Sequence, residues 1–180
     1  MKRLAIGAGV IAVLGGLAWL AFFVYWIFIA VAPGFDRSKN VLAEDVQESL
    51  KTSGSFTLLS LSPSDTAPSG TNVAPMFRGF TILGSTEIKD RSQRIELISQ
   101  LAKGIAASRG MVYNCFNPRH GIRAVNGTSQ IDLVICFECA QVHLFASSNN
   151  NVTKVLLQTE TAKAMFERAV KRAGLPVSGD

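Results

Sequence analysis

Hydrophobic and polar positions divide the chain near residue 34. Residues 4–34 hold no Asp, Glu, Lys or Arg, and every acidic residue lies beyond them. A helix needs about 20 apolar residues to cross a bilayer core, so this stretch predicts one tilted transmembrane helix. Trp19, Tyr25 and Trp26 supply the amphipathic rings that favour membrane interfaces. Pro33-Gly34 stops the helix.

Beyond residue 34 the pattern switches to the short periods of a folded domain. Val41, Leu42, Val46 and Leu50 suit a short helix over 41–51, and residues 55–61 alternate as a strand. Residues 62–75, rich in Ser, Pro, Gly, Thr and Asn, predict a surface loop. Residues 77–88 predict a strand interrupted at Gly79 and Gly84. Asp90 and Gln93 form a capping-box pattern ahead of a helix, with Ile95, Ile98, Leu101, Ala102 and Ile105 on one face and Gly110 at its end. Residues 111–116 and 121–125 predict strands on either side of an Asn117-Pro118 turn, and Asn126-Gly127 is a hairpin signal. Residues 130–146 predict one bent strand. Its early inward face is Ile131, Leu133, Ile135 and Phe137, but Val142 and Leu144 have the opposite parity. That switch implies a bulge or sharp bend between Phe137 and Val142. Residues 147–151 turn the chain into a further strand over 152–158. Ala162, Met165, Phe166, Ala169, Val170 and Ala173 form the stripe of a final amphipathic helix. Thr159 or Thr161 can cap it, and Gly174 with Pro176 ends it.

The expected fold class is α+β. An N-terminal transmembrane helix precedes one domain with an antiparallel sheet and two or three helices packed on one face. Residues 1–34 form a cytoplasmic stub and signal-anchor helix, 35–40 a linker, and 41–180 the domain.

Composition sharpens this division. Across 180 residues, 48% are hydrophobic and 17% charged, with a mean hydropathy of +0.26. Soluble domains carry about 25% charged residues, so the apolar stretch skews the mean. Lys2 and Arg3 precede it, and the positive-inside rule places the N-terminus in the cytoplasm and the domain outside. The expected location is therefore a bacterial inner membrane crossed once. A cleaved signal peptide is the competing reading, but its apolar core is normally only about 7–15 residues long. Lys2 and Arg3 aside, 16 basic and 13 acidic residues remain, a net of +3. These charges are scattered, which argues against nucleic acid as a partner.

The chemistry-bearing residues are concentrated. All three Cys and both His lie between Cys115 and His143. The runs Cys115-Phe116-Asn117-Pro118-Arg119-His120-Gly121-Ile122-Arg123 and Asp132-Leu133-Val134-Ile135-Cys136-Phe137-Glu138-Cys139 stand out. Over residues 77–145 they resemble a group of uncharacterised bacterial exported or membrane-anchored proteins. The resemblance implies an extracytoplasmic setting and attaches no activity.

Three states of the cysteines stay open. Cys115, His120, Cys136 and Cys139 match a ligand set that zinc accepts. Within a strand, however, residues i and i+3 point to opposite faces about 10 Å apart, so Cys136 and Cys139 share a metal only at a turn. An oxidising compartment also permits a disulfide, and free Cys packs readily in a core. A thioredoxin-like mechanism lacks its helix N-terminus here. Arg119, His120 and Arg123 form a cationic turn suited to a small anionic ligand, unless the arginines pair internally with Glu138 or Asp132. His143 reads as a surface or half-buried histidine. The sequence thus favours a non-enzymatic binding or structural module of the envelope, with no cofactor or else zinc. It would bind the membrane through its helix, and an envelope protein or small anion through the hairpin. The alternative is a metal- or thiol-dependent enzyme using the Cys/His cluster.

Overall fold

Strand alternation separates two apolar faces, and the sheet is buried on both. The computed structural model describes residues 19–20, 35–63, 75–146 and 151–177. The chain divides into two units, Met1–Phe35 and Asp36–Asp180. In the first, the described residues Trp19 and Leu20 are helical and exposed. The rest of the predicted anchor lies outside the described residues, as does most of the 62–75 loop. Among the described residues no helix is long and apolar enough to cross a membrane.

The second unit is α+β. Its elements are α1 (Glu44–Thr52), β1 (Ser55–Leu61), β2 (Met76–Phe77), β3 (Phe80–Glu87), α2 (Arg91–Ala106), β4 (His120–Asn126), β5 (Ser129–Cys136), β6 (Gln141–Phe145), β7 (Lys154–Leu157), a 3₁₀ turn (Glu160–Ala162) and α3 (Lys163–Arg172). The strands form one antiparallel sheet in the order β2-β3-β1-β4-β5-β6-β7. Leu50 of α1, Leu97, Ile98 and Leu101 of α2, and Phe166 and Val170 of α3 share one core with Phe56, Leu58, Ile122, Leu133 and Ile135. All three helices therefore cover the same face. Leu59, Leu61, Phe77, Val134 and Phe145 form a second, smaller core on the other face, with Phe80, Ile82 and Phe116 against it.

Local signals place most elements. The Asp90 carboxylate accepts a hydrogen bond from Ser92 N at 2.9 Å and caps α2. The buried stripe of that helix is rotated from the predicted one. Leu97 is buried and Ile95 is exposed, because Arg94, Leu97, Ile98, Leu101 and Ile105 face the sheet. Ala107 ends the helix, ahead of Gly110. The α3 stripe is as expected through Val170, but Ala173 is exposed past the helix end, and neither Thr159 nor Thr161 caps the helix. Gly127, at φ 58°, begins the two-residue loop that joins β4 to β5.

Two expectations need correction. Residues 130–146 are not one bulged strand. They are two strands that reverse at Phe137–Ala140, pairing Leu133 with Leu144 and Ile135 with Val142. The change of parity marks the reversal, and both apolar sets meet the same core. Residues 111–116 form no strand. β4 already has β1 and β5 on its two sides, so it offers no edge to them. The linker also does more than connect. Buried Asn40 donates from Nδ2 to Ile105 O and Leu157 O, both at 2.9 Å, and accepts from Leu157 N at 2.7 Å.

Gly121 lies under an aromatic ring. A Cβ built there would stand 2.8 Å from Phe77 Cε1 and 3.1 Å from Phe77 Cδ1. The ring is buried in the small core and has little room to withdraw. Gly121→Val is expected to lower stability by about 1–3 kcal/mol. Urea denaturation would show it as an earlier midpoint, and an unchanged midpoint would mean the ring moves freely.

Candidate functional site

The turn between β5 and β6 contains none of the usual turn formers. Its sequence is Cys136-Phe137-Glu138-Cys139-Ala140, and Ala140 takes a left-handed φ of 56°. A non-glycine residue in that region is uncommon and has to be held there. A Cys136–Cys139 disulfide, with Cα atoms 5.2 Å apart, closes the turn. Ala140 N donates to Phe137 O at 3.0 Å. From behind, buried Gln158 donates from Nε2 to Cys136 O at 3.2 Å and Gln141 O at 3.3 Å. The reversal thus removes the 10 Å separation that one continuous strand would impose on the two sulfurs.

Residues 111–119 cross this turn as a strap. Tyr113 N approaches Cys139 O at 3.5 Å, and Gln141 Nε2 donates to Tyr113 O at 3.0 Å. Asn117 N–H points at Cys139 Sγ from 3.2 Å, and Cys139 N–H points at Cys136 Sγ from 3.2 Å. Phe116 stacks flat on His143, with ring centroids 3.7 Å apart. His143 is half-buried, and burial holds its pKa below the usual histidine value. Arg119 O accepts from Leu61 N at 3.0 Å, fixing the far end of the strap to β1. The strap carries Cys115, which is free and exposed. Its Sγ lies 3.8 Å from Cys139 Sγ. Both bridged cysteines are fully buried.

The four residues of the zinc set do not share one site in this structure. The bond between Cys136 and Cys139 removes two thiolates from the set. His120 lies among rings of the large core, edge-on to Phe137 at 5.4 Å and Phe166 at 5.8 Å. Among the described residues no group of three or more Cys, His, Asp or Glu is placed to hold a metal. His120 is buried, and its Nδ1 has no hydrogen-bond partner. Burial pushes its pKa down to about 4, with Arg119 and Lys163 adding to the fall and Glu138 opposing it.

Nor is the predicted cationic turn a single anion site. His120 and Arg123 are three residues apart on β4 and so lie on opposite faces. The Arg119 side chain reaches Glu138 at 3.8 Å, and Lys163 reaches the same carboxylate at 3.3 Å. Arg123 pairs with Asp132 through Nε at 3.0 Å and Nη2 at 2.8 Å. Internal pairing of both arginines is therefore what the structure shows.

Sequence reasoning missed Arg78, which completes the Asp132 network. Its Nε donates to Asp132 Oδ2 at 2.8 Å, and its guanidinium lies 4.7 Å from the Phe145 ring centroid. Gln130 Nε2 adds a fourth bond to this carboxylate at 2.9 Å. Arg78 and Gly79 have φ of 52° and 95°, the signature of a type I′ hairpin between β2 and β3. The available signal was Arg-Gly between Phe77 and Phe80, read above as a mere interruption.

A groove of about 300 Å³ opens beside the strap. Met111, Tyr113, Phe137, Ala140 and Gln158 are among its walls, so it shares two residues with the disulfide turn. Met111, Val112 and Tyr113 are each half or more exposed. Comparison with protein-family models, curated proteins and solved structures finds no match to this chain.

Proposed function

We propose that the chain is a thiol–disulfide domain carried on the outer side of a bacterial inner membrane. The observation that carries this reading is the Cys115 thiol, exposed and 3.8 Å from a sulfur of the Cys136–Cys139 disulfide. Thiol–disulfide exchange needs a thiol, a disulfide and access, and these residues supply all three. The anchor rests on the uncharged stretch over 4–34, and the orientation on Lys2 and Arg3. A disulfide suits an oxidising compartment outside the membrane.

Whole cells test both parts. A membrane-impermeant maleimide is expected to label one thiol per chain without permeabilisation, and three after reduction and unfolding. Labelling only after permeabilisation would reverse the orientation. Three thiols after unfolding without reduction would remove the disulfide.

The groove at Met111 and Tyr113 favours a second reading, a binding module without catalysis. Its occupant would be an apolar side chain of an envelope polypeptide. A domain that captures such a polypeptide equally well with Cys115 alkylated would support it.

A further inference from the structure

We infer that Cys115 is the catalytic shuttle through which the buried Cys136–Cys139 disulfide oxidises a dithiol in a polypeptide substrate. This rests on the thiol–disulfide reading above and adds the route and the substrate class. Cys136 and Cys139 are each fully buried, so a thiolate on another chain has no approach to either sulfur. Cys115 is exposed and in contact with Cys139. It alone, among the described cysteines, touches both the disulfide and solvent.

The first step is internal and redox-neutral. The Cys115 thiolate attacks Cys139 Sγ, a Cys115–Cys139 bond forms, and Cys136 leaves as a thiolate. The proton lost by Cys115 is balanced by the one that Cys136 gains. Cys139 N–H already points at the departing sulfur, so the negative charge developing there meets a donor. The disulfide now has one exposed end. In the second step a substrate thiolate attacks Cys115 Sγ, and Cys139 leaves as a thiolate. The second substrate thiol, deprotonated, then attacks the substrate sulfur of this mixed disulfide and releases Cys115. The substrate has lost two electrons and two protons. Cys136 and Cys139 have gained them as a dithiol.

The groove indicates a polypeptide rather than a small thiol. Phe137 and Ala140 belong to the disulfide turn, and Tyr113 stands two residues before Cys115 on the strap. An apolar side chain seated there would bring a neighbouring cysteine toward Cys115.

The test is a single turnover with the full oxidised chain in detergent. The probe is a reduced peptide with two cysteines flanking a Phe. Wild type should form one equivalent of peptide disulfide. Cys115→Ser should keep the Cys136–Cys139 bridge in mass spectra yet react about a hundredfold more slowly. Cys136→Ser should hold a Cys115–Cys139 bridge and still oxidise the peptide. Wild-type rates in Cys115→Ser would overturn the relay, as would failure of Cys136→Ser to form that bridge. Neither result bears on whether the wild-type chain rests with the Cys136–Cys139 disulfide. Three free thiols in the purified chain would instead remove the reading on which the relay rests.

Discussion

Asp132→Ala is expected to lower stability by about 3–5 kcal/mol, the range for removing one partner of a buried ion pair. Domains are stable by only about 5–15 kcal/mol, so the variant should be partly unfolded or nearly so at ambient temperature. The size of the effect depends on what remains. Asp132 is fully buried and accepts four hydrogen bonds from Arg78, Arg123 and Gln130. Arg123 is 40% exposed and can turn to water, but Arg78 is 3% exposed and cannot. Its charge would stay buried among Phe145 and the small core. The penalty therefore includes a buried Arg78 Nε that has lost its Asp132 acceptor, in addition to the lost attraction. Adding Arg78→Met to Asp132→Leu should recover much of the loss, since an apolar replacement of a whole buried pair is often neutral or better. Urea denaturation of the single and double variants measures the difference. A double variant no more stable than Asp132→Leu alone would refute this account.

Asp132 also shows where the chain could be read and where it could not. Its pairing with Arg123 was open to reasoning, because β4 and β5 form a hairpin with a strong turn signal and set the two residues opposite each other. Arg78 was not, because it reaches Asp132 from 54 residues away by way of β3 and β1. The same contrast governs the fold. The stripe of α3 is local and declares its own buried face. Residues 111–116 have strand-like composition, but whether a ladder exists depends on a free sheet edge, which no local window contains. The β5–β6 reversal lies between these cases. Periodicity located it between Phe137 and Val142, yet Phe137-Glu138-Cys139-Ala140 offers no Gly, Pro or Asn to announce a turn. The disulfide and a left-handed Ala140 hold it instead. For the candidate site, sequence gathered all three cysteines correctly. It assigned His120 to them because the five-residue step from Cys115 reveals nothing about strand faces. Alternation along β4 sends that ring into the helix-covered core.

His120 should make the fold acid-sensitive well above the range where carboxylates titrate. Its pKa in the folded chain is about 4, against about 6.5 when unfolded. The cause is burial among Phe137 and Phe166; Arg119 and Lys163 push the same way, and Glu138 pushes back. Between those two pH values the unfolded chain binds the extra proton, so stability falls as pH falls. The contribution is fully present above the unfolded value and is lost progressively down to about pH 4. From pH 7 to pH 5 this amounts to about 2 kcal/mol, and the whole transition to about 3 kcal/mol. His143, half-buried and also shifted down, adds to the same trend. His120→Leu separates the two, because it removes the larger proton-binding difference and fills the same apolar site. Urea midpoints for the variant should decline much less between pH 7 and pH 5 than those of wild type. Parallel curves would contradict the assignment, as would an imidazole resonance of folded His120 that titrates near 6.5. The comparison also bears on the nearby turn, because Phe137 lies between the two bridged cysteines and packs against His120. Opening that exposes the ring lets it take up a proton, so the Cys136–Cys139 turn should open more readily together with the core as pH falls below the unfolded value. Hydrogen exchange of the Ala140 amide, slow at pH 7 once corrected for intrinsic rates, should show that loosening by pH 5 in wild type and not in His120→Leu.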